Sequence, residues 1–158
     1  MIFTVGIDPG LGGAVAFYDT MTETVETFPM PTLKAGTGSK RIIDELELAR
    51  LFASRAKMIK KVFIERVHAM PKQGVTSVFT FGVGYGIVRG ILAANFLSVE
   101  YITPQKWKKE LRVPAAKDAA RARANEIFPA YSNQWNKATW DGRAEAAMIA
   151  YYGASLKV

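Results

Sequence analysis

Four acids stand where a carboxylate has to be accounted for. Asp8 closes the apolar run from Val5 to Ile7, and Glu65 closes the run from Val62 to Ile64. Asp141 and Glu145 lie four residues apart at the start of a helical pattern, which puts them on one helix face. A carboxylate at the end of a buried strand is unfavourable unless it meets a metal or a counter-charge. Several converging carboxylates raise one another's pKa unless a divalent cation offsets them. The chain has no Cys and a single His, so hard oxygen ligands select Mg2+ or Mn2+ over Zn2+. Two such ions about 3.5–4 Å apart form a clamp for phosphodiester cleavage, one activating water and the other stabilising the leaving oxygen. Plainer readings stand beside this one. Asp141 and Glu145 could cap a helix and satisfy its dipole, and Asp8, Pro9 and Gly10 make good turn chemistry. Glu65 has the weakest alternative, because nothing about a strand end asks for a carboxylate.

The elements that must position these acids follow from periodicity. Residues 2–8 read as a buried strand closed by Pro9 and Gly10, residues 13–19 as a second, and 22–28 as a third. Short connections make these an antiparallel meander. Pro29, Pro31 and the Gly36 to Ser39 stretch read as a mobile loop. Ile42, Ile43, Leu46, Leu48, Leu51 and Phe52 mark an amphipathic helix running to about residue 58. A strand at 61–65, a helix at 75–96 and a strand at 98–102 follow. Pro104 opens a short helix to Leu111, Pro114 opens another over 115–128, and a last helix runs from Asp141 to Tyr152, with Gly153 as its stop. The pattern predicts one domain over residues 1–158. Its fold class is α/β, a mixed five-stranded sheet of three antiparallel strands then α/β crossovers, flanked by helices.

Placed on these elements, the stretches Gly6 to Gly10, Val62 to Glu65, Tyr101 to Lys108 and Asp141 to Ala150 resemble the motifs of RuvC-type Holliday-junction resolvases. The likeness is to the compact form found in phages and other mobile elements, and it covers nearly the whole chain. The first motif alone also opens the phosphate loop of sugar kinases and actin-like ATPases, but the length argues against that two-domain fold. The resemblance implies a ribonuclease H-like fold, a homodimer and two Mg2+ ions per site, with Mn2+ substituting. It implies paired nicks across a four-way DNA junction that leave a 5′-phosphate and a 3′-hydroxyl. Asp8, Glu65, Asp141 and Glu145 match the family's metal-binding acids, and Lys108 and Lys117 match its lysines near the scissile phosphate. Two positions depart from the pattern. The last two acids are typically Asp residues three apart, whereas here they are Asp and Glu four apart; both spacings keep one helix face. The aromatic residue three positions after the strand-end Glu is His68 here, so base stacking and cleavage-sequence preference do not carry over. A broader nuclease that debranches flaps and forks, and a non-catalytic DNA-binding module on the same fold, remain alternatives.

Charge agrees with a polyanionic partner. The 158 residues carry 21 Lys and Arg against 14 Asp and Glu, a formal charge of +7. Residues 1–32 hold four acids and no Lys or Arg, whereas residues 103–125 hold seven basic residues against two acidic. That dense segment supplies Lys106, Lys109, Arg112 and Arg121 as candidate phosphate contacts, and the polar loop after Glu65 supplies Arg66, His68 and Lys72. The absence of Cys points to a reducing, cytoplasmic setting in a bacterial or phage-infected cell. The early Asp8 argues against a signal peptide, and Arg89 and Asn95 in the most apolar stretch argue against a membrane span.

Smaller features carry two readings each. Gly82, Gly86 and Gly90 form a stripe on one face of the 75–96 helix, suited equally to tight packing on the sheet and to a helix–helix dimer contact. Phe79 and Phe81 read as core. Trp140, next to Asp141, reads as core before it reads as a shield for the site.

Overall fold

A computed structural model describes residues 1–116 and 118–156. Strands β1 (Phe3–Asp8), β2 (Ala14–Asp19) and β3 (Thr24–Pro29) form the expected meander. After a small hairpin come β6 (Ile59–Glu65) and β7 (Val99–Ile102), which join the same sheet in the order β3-β2-β1-β6-β7. β1 runs antiparallel to β2 and parallel to β6, and β6 runs parallel to β7. The mixed five-stranded sheet is the one expected.

Helices cover both faces because the strands alternate. On β1, Phe3, Val5 and Ile7 face one core with Leu48 and Phe52 of α1 (Glu45–Ala53) and Val88 and Leu92 of α2 (Val75–Ala94). The other face packs on α5 (Asp141–Ser155) and on Trp107 of α3 (Pro104–Glu110). Gly6 and Asp8 share the parity that faces α5, and so do Phe63 and Glu65 on β6. The α5 backbone approaches β1 so closely that a Cβ on Gly6 would strike the Ala146 carbonyl and the Ala150 amide. Ala144, Ala146, Ala147 and Ala150 are fully buried along this contact. Small residues on both sides let helix and sheet meet without a side-chain layer between them.

Five expectations require correction. The 29–43 stretch is not a plain loop, since β4 (Thr32–Lys34) pairs antiparallel with β5 (Arg41–Ile43) and Gly36 to Ser39 is the hairpin tip. Ile42 and Ile43 therefore belong to a strand. Helix α1 starts only after Asp44, whose carboxylate accepts the Glu47 amide at 3.0 Å. Helix α4 (Ala119–Ile127) starts later than Pro114 predicts, because Asp118 stands in the left-handed region at φ 64° and interrupts the right-handed coil. Gly153 is no helix stop: α5 runs through it to Ser155, and a Cβ there would strike the Phe63 ring.

The fifth correction concerns α2. Of its 20 residues only Val88 and Leu92 are buried, and Phe79 is 73% exposed. Phe81 is exposed too and stacks on Tyr85 rather than entering the core. Space beside Gly82, Gly86 and Gly90 is open, so the stripe does not pack on the sheet; Gly84 instead lies against Ile43 of the β4–β5 hairpin. By length and composition alone α2 would suffice to cross a membrane, although its Val88 and Leu92 lie in the core with α1.

Candidate active site

Parallel pairing of β1 with β6 places Ile7 opposite Ile64, so the next residues, Asp8 and Glu65, end adjacent strands. Both point to the α5 side by parity, and α5 brings Glu145 to them from its first turns. The position of α5 is set by a second close approach, where Gly142 meets the Gly12 carbonyl and the Gly13 backbone. The loop after Asp8 is thereby clamped beneath the start of α5.

Electrostatics follow from this convergence. Burial, then the Glu145 charge, then the Glu65 charge push the Asp8 carboxyl up to about 7, against weaker opposing pulls from the Gly10 amide and Lys108. Burial also raises Glu145, and Glu65 and Asp141 add to that, while Lys108 opposes it. The Lys108 ammonium lies 3.7 Å from Glu145 Oε1. Glu65 is 9% exposed, and its Oε2 accepts a 2.8 Å hydrogen bond from the indole N–H of fully buried Trp107. Asp141 is held differently. Arg121 Nε donates to its Oδ1 at 2.7 Å while Arg121 Nη2 donates to Asp118 at 2.6 Å.

The structure thus brings Asp8, Glu65 and Glu145 into one patch with Lys108, and leaves Asp141 at its edge, turned to Arg121. Among the described residues no three acids are drawn together as a ready ligand group. The reason lies in their partners: Glu65 is turned to Trp107, Glu145 to Lys108 and Asp141 to Arg121. As a donor set the patch nonetheless suits a divalent cation. Its ligands are hard oxygens, and burial and two neighbouring carboxylates keep one carboxyl from ionising below neutrality, a cost that a cation would offset.

The candidate phosphate contacts fall into two groups. Arg66, His68, Lys72, Lys106, Lys109 and Arg112 are exposed. Arg66 and His68 line a cavity of about 320 Å3 beside Glu65, together with Gln73, Phe81 and Gln105. Arg121 differs, since two carboxylates occupy its guanidinium; it serves Asp141 rather than standing free for a phosphate. Lys117 lies outside the described residues.

Sequence reading missed two partners. Trp107 was legible only as one of three Trp residues, although a buried indole N–H usually finds an acceptor and Glu65 was already an unexplained acid. Trp140 is half-buried, with the Arg143 guanidinium 4.2 Å and the Lys137 ammonium 4.5 Å from its ring centre. No sequence signal assigned Arg143 a place.

No family model and no curated protein matches this sequence. Solved structures do match. Thermus thermophilus RuvC in complex with a Holliday junction substrate is similar over 98% of this chain and 95% of that one, with 14% identity and a TM-score of 0.60. A second Thermus thermophilus RuvC structure has 15% identity, covers 97% of this chain and 95% of that one, and gives a TM-score of 0.52. The yeast mitochondrial Holliday junction resolvase has 14% identity over 94% of this chain and 75% of that one, with a TM-score of 0.56. The fold expected from the sequence is the one this chain shares with those resolvases.

Proposed function

We propose that this chain is a divalent-metal-dependent, structure-selective DNA endonuclease that resolves four-way junctions by paired nicks. The observation that carries it is the convergence of Asp8, Glu65 and Glu145 on the α5 side of two adjacent strand ends, with Lys108 beside them. A simple DNA-binding module has no use for buried acids facing its ligand's phosphates, since they would repel it. The Holliday-junction ligand of the similar Thermus protein supports the choice of substrate.

Asp8, Glu65, Glu145 and Asp141 would hold two Mg2+ ions, with Mn2+ substituting. Bound there, such ions supply a water nucleophile at neutral pH and charge stabilisation at the leaving oxygen. The chain's own groups prepare the rest. Asp8 gives up a proton near pH 7 to become a ligand. Trp107 fixes the orientation of Glu65, as outer-shell donors do for ligands generally. Asp141, now held by Arg121, would have to leave it to help hold the cation. Lys108, and Lys117 by its match to the family, would stabilise negative charge growing on the phosphate. Water adds to phosphorus, the P–O3′ bond breaks, and the products are a 5′-phosphate and a 3′-hydroxyl. Exposed Arg66, His68, Lys72, Lys106, Lys109 and Arg112 contact backbone phosphates, so binding weakens steeply with salt.

Paired nicks need two sites, and the exposed apolar face of α2 with the open stripe Gly82, Gly86 and Gly90 supports a homodimer. Gly86→Leu should lower the solution mass to that of a monomer; an unchanged dimer would reject this face.

Labelled four-way junction, flap and linear duplex, each with Mg2+ or EDTA, test the function directly. Wild type should cut the junction only with metal, and Asp8→Asn should bind it without cutting. No cleavage in Mg2+ or Mn2+ defeats the enzyme reading. Preference for flaps turns it into a debranching nuclease, and equal cutting of linear duplex removes structure selectivity.

A further inference from the structure

We propose that Lys137 and Arg143, seated on Trp140, form a second phosphate-binding point that anchors the DNA strand away from the scissile linkage. The proposal rests on the nuclease reading of the acid patch and adds a contact that reading does not contain.

The two cations share one indole, with the Arg143 guanidinium 4.2 Å and the Lys137 ammonium 4.5 Å from its centre. Among the described residues neither forms an ion pair. Arg143 Nε is buried and has no hydrogen-bond partner. A partly desolvated guanidinium without an acceptor is unfavourable. An anion accepting from the guanidinium relieves this, and the fork of an Arg seated on an aromatic ring suits a phosphate. With two cations on its ring, Trp140 is a seat for charge and not a platform for a base.

Position decides which phosphate is met. Arg143 lies between Asp141 and Glu145 in α5, and at about 100° per residue it projects from the opposite side of the helix. With side chains, a helix is roughly 10–12 Å across, so the pair addresses a linkage a few nucleotides from the one that is cut. Contact there fixes the direction in which the strand leaves the acids. Lys137 and Arg143 are therefore positioning residues.

The test uses the Asp8→Asn protein, which holds substrate uncut, with labelled four-way junction over a range of NaCl. Lys137→Gln and Arg143→Gln should each weaken binding roughly two- to tenfold and reduce the slope of log K against log salt by about 0.9. Lys57→Gln, before the opposite end of β6, should leave that slope unchanged. Single methylphosphonate linkages placed along the strand should reveal one position, outside the cleavage site, whose penalty disappears in Arg143→Gln. Lys137 is exposed, so its variant keeps the test valid if Arg143→Gln unfolds. Junction binding with an unaltered slope in both variants, an equal fall in Lys57→Gln, or no linkage-specific loss overturns the anchor and leaves the nuclease reading standing. Failure of Asp8→Asn to bind DNA at all overturns both.

Discussion

Replacing Asp8 with Asn should make the metal-free protein more stable, by an amount that grows with pH. In the fold Asp8 ionises at about 7 against the ordinary 3.8, because burial and the Glu145 and Glu65 charges disfavour its anion. A carboxyl raised in this way favours the fold only while it keeps its proton. Its contribution is fully present below 3.8 and is lost as pH rises to 7. Relative to the acid limit, the fold loses about 2 kcal/mol at pH 5 and about 4 kcal/mol at pH 8, a difference on the order of 2–3 kcal/mol. Asn has nearly the same shape, can still accept from the Gly10 amide that lies 3.5 Å from Oδ1, and carries no charge. For a domain of this size a difference of that order shifts Tm by roughly 5–10 °C. Thermal or urea unfolding of both proteins in EDTA, from pH 5 to pH 8, reads the effect. The Asn protein should gain on wild type steadily with pH. Saturating Mg2+ at pH 8 should then reverse the order, since only wild type keeps the ligand. A stability difference that is the same at pH 5 and pH 8 would refute the crowding of Asp8 by its neighbours.

Trp107→Phe removes the indole donor from buried Glu65; it should cost about 1.5–3 kcal/mol, read by urea unfolding. The same change should raise the Mg2+ needed for half-maximal cleavage by roughly 10–100-fold. Arg121→Gln frees Asp141 from the 2.7 Å contact that occupies it, so half-saturation should move to lower Mg2+, and no movement in a metal titration would mean that Arg121 does not compete with the cation. Gly6→Ala drives a methyl into the α5 backbone at Ala146 and Ala150; it should destabilise by about 3 kcal/mol or more, and an unshifted urea midpoint would contradict the direct helix–sheet contact. Below pH 7 the apparent Mg2+ affinity of wild type should fall about tenfold per pH unit, because the proton on Asp8 competes with the ion.

Much of the site was legible along the chain because it depends on local order. Side chains alternate along a strand whatever surrounds it, so apolar runs ending in Asp8 and Glu65 already implied acids at strand ends. That both face α5 came only with the β1–β6 register. Helical repeat likewise put Asp141 and Glu145 together. The sheet topology followed from short connections first and crossovers later.

Partners chosen across space were not legible. Trp107 meets Glu65 across 42 positions and Arg121 meets Asp141 across 20, and the packing of α3, α4 and α5 selects those pairs among many acids and donors. Exposure on α2 was misread for a related reason. Its residues are apolar nearly all round, a pattern that fits burial on every side, yet the chain has only enough core to cover Val88 and Leu92. Gly153 looked like a helix stop because glycine allows both a terminal turn and a close approach, and only the Phe63 ring above it selects the second. Local periodicity sets which residues share a face and an end, since it needs only bonded geometry. Which charge each of them meets is set by tertiary packing, where contact strength depends on distances that no spacing along the chain encodes.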